Sequence, residues 1–376
     1  MSENTGDTMI DLGIPDDEAD TLPTLENKYQ QQMRQIITQK IELPISTVLG
    51  MIKEQIDLNP NFQRRERWNA DRQSRFIESL IMNVPIPPVF LGEDEYGKYV
   101  VLDGRQRLTA VACFLRNEYP LRKLAVWKEL TDLTFSDLVK RDFAKFLTRR
   151  FIPAVVILKE SSPEVKYDVF DRLNTGGVVA EPMEIRNAIY RGPFTELLVT
   201  LSRSEEFCDL WGIPSDVVEA EKHPVYQKMG DLELVLRFFA LSEYEKMQVK
   251  FKDFLSVVMD ERNKIYRTPS EQAGIDRDRF LNAARNSWRI FGDGAFRKGP
   301  TPTRSAPLAD AIMIGLANYP SDQISDEKAA AVRVQREQLF ENDVFIKAIT
   351  SGTNGPTAIK NRIELARTAF MTVLTA

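Results

Sequence analysis

Between Tyr99 and Leu115 the sequence reads YVVLDGRQRLTAVACFL, placing Asp103, Gly104, Arg105, Gln106 and Arg107 consecutively between two apolar runs. Charged groups set between buried segments must be paired or must meet a ligand, because moving a lone charge out of water is costly. The first run reads as a strand. The second, with Leu108, Val111, Ala112 and Leu115 at helical spacing, reads as a helix. A helix start exposes backbone N–H groups and partial positive charge, which favour an anion. At this one, Gly104 permits close backbone approach and Arg105 and Arg107 offer forked donors for phosphate oxygens. Asp103 is placed to hold a magnesium ion bridging those oxygens, or to position a water. The competing reading makes Asp103 the helix cap and the arginines surface ion pairs. Capping accounts for Asp103, but not for two arginines in a first turn, where positive charge is unfavourable.

Two other stretches carry chemistry. In NPNFQRRERWNADRQSR, Arg64, Arg65, Arg67, Arg72 and Arg75 are interleaved with Phe62 and Trp68. Such a pattern suits a nucleic-acid backbone with stacking on a base, and equally a solvated face bridged to Glu66 and Asp71. In DRLNTGGVVAEPMEIRNA, the run Asn174-Thr175-Gly176-Gly177 separates two expected helices. Consecutive glycines can turn several N–H groups toward one anion, or simply end a helix. Glu184 and Asn187, three residues apart, share a face of the second helix, with Arg186 between them.

Composition limits the alternatives. The chain has 376 residues, 43% of them hydrophobic, and a net charge of −5, which argues against a surface coated in basic residues but allows a local patch. There is one histidine, His223, in a turn-like stretch read as a surface loop. HNH nucleases, Ser-His-Asp hydrolases and histidine-rich zinc sites are therefore nearly excluded within this chain. Two cysteines, Cys113 and Cys208, make no disulfide framework and point to a reducing cytoplasm. No apolar stretch is long enough for a membrane span, and the acidic N-terminus is not a targeting peptide.

The elements that must position these residues follow from periodicity. Residues 1–24 read as a disordered acidic tail and 25–39 as a polar helix. A short strand, a helix starting near Ser46 and an extended segment into Pro60 come next. DRQSRFIESLIMN forms a helix with Phe76, Ile77, Leu80 and Ile81 on one face, and Val89–Leu91 and Tyr99–Leu102 form a hairpin. A charged helical insertion spans about 118–150, followed by the buried strand IPAVVILKE. Next comes a helix with a Ser161–Ser162 cap signal and Pro163 in its first turn, then one ending at Gly192. Beyond 194 the sequence is amphipathic helix with almost no strand signal. The expected organisation is an α+β domain over 25–193 and a mainly α-helical domain over 194–376.

The three motifs in this order resemble the N-terminal domain family of GmrSD-type restriction systems, related to the ParB/sulfiredoxin-like nucleotidase fold with its small mixed sheet. The resemblance covers about 45–192. It rests on Phe62-Gln63-Arg64 with Trp68, Pro85–Leu91, Asp103–Arg107 followed by LTA, Arg172–Gly177 and Glu184–Asn187. It implies a domain of NTP binding and hydrolysis, with Mg2+ bound alongside the NTP. Asp103, Arg105, Gln106 and Arg107 would form the phosphate–metal centre, Asp103 being the metal ligand. Gln63, Arg64, Gly104, Asn174, Gly176, Gly177 and Arg186 would line the nucleotide cleft, and Arg65, Arg67 and Trp68 would touch DNA. Phe62 stands where the family usually has Tyr, and Arg105 where it has Gln. The added cation favours holding phosphates over orienting water. Many long relatives carry a C-terminal HNH domain, which the single histidine argues against here. The implied role is a cytoplasmic, nucleotide-responsive component of a defence system acting on foreign or modified DNA, with a separate nuclease or methyltransferase subunit as partner. The alternatives are a non-enzymatic DNA-binding or adaptor module that recruits a separate nuclease, and a magnesium-dependent carboxylate nuclease.

Overall fold

The computed structural model describes Asn27, 36–58, 68–94, 97–161, Lys166, Tyr167, Val169, Arg172, 181–267, 271–299 and 303–375. The N-terminal half is built on five strands: β1 (Thr38–Pro44), β2 (Ile56–Asp57), β3 (Val89–Glu93), β4 (Tyr99–Asp103) and β5 (Phe151–Ile157). Their order is β1-β5-β3-β4-β2, with β1/β5 and β3/β4 antiparallel and β3/β5 and β2/β4 parallel. The expected hairpin is therefore present, and the sheet is mixed. Helices α1 (Val48–Glu54), α2 (Ala70–Ile81), α3 (Arg105–Leu115), α4 (Phe135–Lys140) and α5 (Lys145–Thr148) accompany it.

Strand alternation sorts the side chains onto two faces. Val89, Leu91, Val101, Ile152, Ala154 and Val156 pack with Ile77, Leu80, Leu108 and Val111 of α2 and α3. On the other face, Leu102, Ile157 and the partly buried Phe90 meet Ile185. Ile185 belongs to α6 (Pro182–Ile189), the first helix of the second half.

That half continues through α7 (Pro193–Leu201), α8 (Glu205–Trp211), α9 (Val217–Ala220), α10 (Pro224–Gln227), α11 (Gly230–Ser242) and α12 (Phe251–Arg267). It ends with α13 (Gln272–Phe291), α14 (Ala306–Leu316), α15 (Asp326–Phe340), α16 (Asp343–Thr350) and α17 (Pro356–Leu374). Among the described residues it holds helices and one isolated bridge, Arg297–Arg304. Phe194, Phe207, Phe238, Phe239 and Phe280 form its aromatic centre, and Met183 and Tyr190 are buried in the same core. The two halves thus share α6, with Ile185 in one core and Met183 in the other. Asn263 of α12 fastens the exit from α6. Its Oδ1 accepts from the N–H of Phe194 (3.0 Å) and Thr195 (3.2 Å), and its Nδ2 donates to the Tyr190 carbonyl at 2.8 Å.

Several local expectations are corrected. Thr38 and Gln39 belong to β1, not to a polar helix, because pairing with Ile157 and Val156 of β5 outweighs a weak helical pattern. The first helix is capped at Thr47, not Ser46, and without a side-chain bond. The 118–150 insertion is mostly turns: Lys123, Asp132 and Asp142 take the left-handed conformation, which breaks a helix at each point. Ser161 has a further role, and the helix start it was expected to cap lies outside the described residues. Its hydroxyl accepts from the Ile37 N–H at 3.0 Å and donates to the Ile37 carbonyl, fastening the start of β1. The acidic tail, Ser162 and Pro163 lie outside the described residues.

Glu78 of α2 holds this insertion in place. Its buried carboxylate accepts from the N–H groups of Ala125 (3.1 Å), Val126 (2.8 Å) and Trp127 (2.8 Å). Burial pushes its pKa up, but these bonds and the Arg75 charge outweigh it and hold the carboxyl below its ordinary value. A depressed folded pKa stabilises above the unfolded value and is lost as pH falls through the folded one. Glu78→Gln is therefore expected to cost about 2 kcal/mol in urea denaturation at pH 7. The gap to wild type should close as the pH is lowered below the ordinary carboxylate value; a gap independent of pH would contradict the charge-based account.

Candidate functional site

β4 ends at Asp103, and Gly104 is the N-cap of α3 with φ +91° and no side-chain capping bond. Asp103 is thus not the helix cap. The left-handed turn is also sterically closed, since a Cβ on Gly104 would lie 2.4 Å from Val89 Cγ1. Close packing against β3 and the sharp turn from strand to helix together require glycine there.

Asp103 accepts from Arg107 Nη2 through Oδ2 at 2.6 Å, while its side chain stays 40% exposed. The other arm of Arg107, Nη1, donates to the Pro87 carbonyl and to the Pro88 carbonyl at 3.2 Å. Arg107 is largely buried. Burial pushes its pKa down and the Asp103 charge and hydrogen bond pull it back up. Its guanidinium is therefore engaged by the protein and orients the carboxylate, where the sequence reading had it facing phosphate. The backbone of Pro87 and Pro88, which fixes this arrangement, was not singled out by residue-type reasoning; the PIPP run is its only signal.

Gln106 joins two motifs: its Oε1 accepts from the Trp68 N–H at 3.0 Å. The Trp68 ring packs edge-on to Phe76 at 5.7 Å between centroids, with the Arg72 guanidinium 4.7 Å from its own centroid. Its aromatic face is engaged within the protein. Arg105, the first residue of α3, is half-buried. Gln63, Arg64, Arg65, Arg67, Asn174, Gly176 and Gly177 lie outside the described residues.

Arg186 does not join Asp103. It is 1% exposed, and Nε donates to Ser256 Oγ (3.2 Å), Nη1 to Glu233 Oε2 (3.2 Å) and Nη2 to the Lys252 carbonyl (2.8 Å). All three partners sit on α11 and α12. Glu184 closes a capping box, its Oε2 accepting from the Glu181 N–H at 3.0 Å. Asn187 is 1% exposed with both amide atoms unpartnered among the described residues, on a helix that also packs on β4. Buried, unpaired amide groups cost stability.

Among the described residues no group of three or more His, Cys, Asp or Glu could hold a metal ion. Asp103 alone supplies one carboxylate, with Oδ2 taken by Arg107. This donor set suits a Mg2+ brought by phosphates, which needs one or two protein carboxylates, and does not suit a resident metal.

The mixed sheet and the strand–Asp–Gly–helix turn define an α+β domain with a preformed polar turn at a helix start. A family model described as GmrSD restriction endonuclease, N-terminal domain, matches residues 45–191, and this region is such a domain. The match associates this region with restriction and defence systems. Comparison with curated proteins gave no match, and comparison with solved structures gave none. No helix among the described residues is long and apolar enough to cross a membrane.

Gly104→Ala is expected to lower stability by about 3 kcal/mol, from the left-handed backbone and the Val89 overlap together, as read by urea denaturation. A loss below about 1 kcal/mol would show that the turn relaxes freely. Asn187→Leu should leave the melting temperature unchanged or raise it, since it removes buried unpaired polar atoms. A large fall in melting temperature would mean that the amide is paired in solution.

Proposed function

We propose that the 45–191 domain binds a nucleoside triphosphate with Mg2+ at the Asp103–Arg107 turn and serves as the nucleotide-responsive part of a restriction system. One observation carries this reading: Arg107 and the Pro87–Pro88 carbonyls hold the Asp103 carboxylate at the mouth of the α3 start, whose N-cap is the left-handed Gly104. A helix start is suited to phosphate oxygens, and Arg105 in its first turn adds a cation that the helix dipole alone would disfavour. When bound, the metal would supply positive charge to the phosphates. Asp103 would meet it or one of its waters through Oδ1, while Arg107 fixes the carboxylate without touching phosphate.

Calorimetric titration with each NTP and Mg2+ tests this. Arg105→Ala should weaken binding about tenfold or more, the loss of a charged hydrogen bond. Asp103→Ala should remove the magnesium dependence and spare part of the metal-free binding. Arg107→Ala should behave as Asp103→Ala does, and Arg107→Lys should not rescue it, because a point charge cannot span Asp103 and two carbonyls. If wild type binds no NTP, or Arg105→Ala binds as tightly as wild type, the reading fails. DNA binding without NTP binding, weakening steeply with salt, would favour the adaptor alternative instead.

A further inference from the structure

The 122–127 segment is fastened along one side of α2. The Ser74 hydroxyl accepts from the Arg122 N–H at 2.8 Å, and Asp71 pairs with Lys123 at 2.7 Å. The buried Glu78 carboxylate takes the N–H groups of Ala125, Val126 and Trp127. Asp71, Ser74 and Glu78 follow one another at spacings of three and four, so they share a helix side. The anchored chain then presents two apolar side chains to water, Val126 at 59% exposure and Trp127 at 37%. A loop without a partner gains nothing from fixing such a pair in solvent.

Trp127 heads a row of rings. It packs edge-on to Phe143 at 5.5 Å between centroids, and Phe143 lies 4.9 Å from Phe146. Cations close the far end: Lys145 Nζ lies 5.8 Å and the Arg149 guanidinium 5.3 Å from the Phe146 centroid. Lys128 follows Trp127, and on the α2 side the Arg75 charge reaches Glu78. Arg75, Arg122, Lys128, Lys145 and Arg149 are all exposed. The imbalance holds for the whole of this region, every residue of which is described. In a chain of net charge −5, α2 and residues 116–150 together carry eleven Lys and Arg against seven Asp and Glu. One of those seven, Glu78, is buried and bound by main-chain N–H groups. A local excess of exposed cations around a held tryptophan is complementary to a polyanion that carries flat rings.

We propose that this face docks a DNA strand, with phosphates among Arg122, Lys128, Lys145 and Arg149 and an unpaired base against Trp127. It is a different surface from the Arg65–Arg67 stretch to which the sequence pattern points. The proposal rests on the restriction-system part of the reading above and is independent of NTP binding at Asp103.

The test is fluorescence anisotropy of a fluorescein-labelled oligothymidine, and of a duplex of the same length, titrated with the full chain over a range of salt and without nucleotide. Wild type is compared with Lys128→Ala/Lys145→Ala/Arg149→Ala, Trp127→Ala, Trp127→Phe and Arg65→Ala/Arg67→Ala, each checked for folding by circular dichroism. Wild type should bind the single strand more tightly than the duplex. The triple variant should lose about tenfold or more in affinity, and its salt slope should fall by about 2, at roughly 0.7 per phosphate released. Trp127→Ala should lose about fivefold or more at an unchanged slope, with Trp127→Phe restoring part of the loss. Arg65→Ala/Arg67→Ala should still bind. Absence of wild-type binding, or a triple variant with unchanged affinity and slope, overturns the face. Undiminished binding by Trp127→Ala, or a duplex bound as tightly as the single strand, overturns the base contact. Binding abolished in Arg65→Ala/Arg67→Ala but intact in the triple variant moves the footprint to the arginine-rich motif and overturns the proposal. With no nucleotide present, these outcomes and the calorimetric NTP titration can fail separately.

Discussion

A single buried guanidinium ties the two halves of this molecule together. Arg186 leaves α6, a helix of the family domain, and spends its donors on a carboxylate, a hydroxyl and a main-chain carbonyl of α11 and α12. A charge 1% exposed is tolerable only when its partners are in place, so the spacing of α6, α11 and α12 is fixed to hydrogen-bond tolerance. Everything resting on α6 inherits that placement. On one side Met183 enters the aromatic core, and on the other Ile185 meets Leu102, one residue before Asp103.

The turn at Asp103 repeats this logic on a smaller scale. Gly104 is required because β3 lies too close for a side chain, and the turn it permits brings Asp103 and Arg107 within 2.6 Å across the first turn of α3. The carboxylate is oriented by a cation that is itself held by two proline-region carbonyls. Preorganisation of this kind lets a binding group meet its ligand without first losing rotamer freedom. The carboxylate keeps its exposure while its support is buried.

Sequence patterns reached the elements with strong periodicity: the α2 face of Phe76, Ile77, Leu80 and Ile81, the β3–β4 hairpin, and the helical character beyond 194. They failed where a tertiary partner decides. Thr38 and Gln39 join a strand only because β5 lies beside them, and the 118–150 segment is broken by left-handed Lys and Asp positions that no periodicity marks. At the site, residue types and order brought out Asp103–Arg107 as a unit, but spacing could not say where each guanidinium points. Arg105 and Arg107 look equivalent in sequence, yet one begins the helix and the other turns back onto its strand. Arg186 reads as a cleft residue by motif and proves to be a tie between halves, because its partners are far away in sequence.

The family match ends at residue 191, yet no physical boundary lies there. Tyr190 and Phe194 are buried in the same core, the Arg191 guanidinium reaches back to Asp57 at 2.7 Å, and Asn263 grips the chain on both sides of Gly192. Cutting the chain at the end of the match would uncover Met183 and strip Arg186 of all its partners. The two halves therefore pack as one body around α6. A recurring sequence module has here become inseparable from the helices fused to it. Inheritance treats 45–191 as a part that can be moved between proteins; the packing binds it to this one.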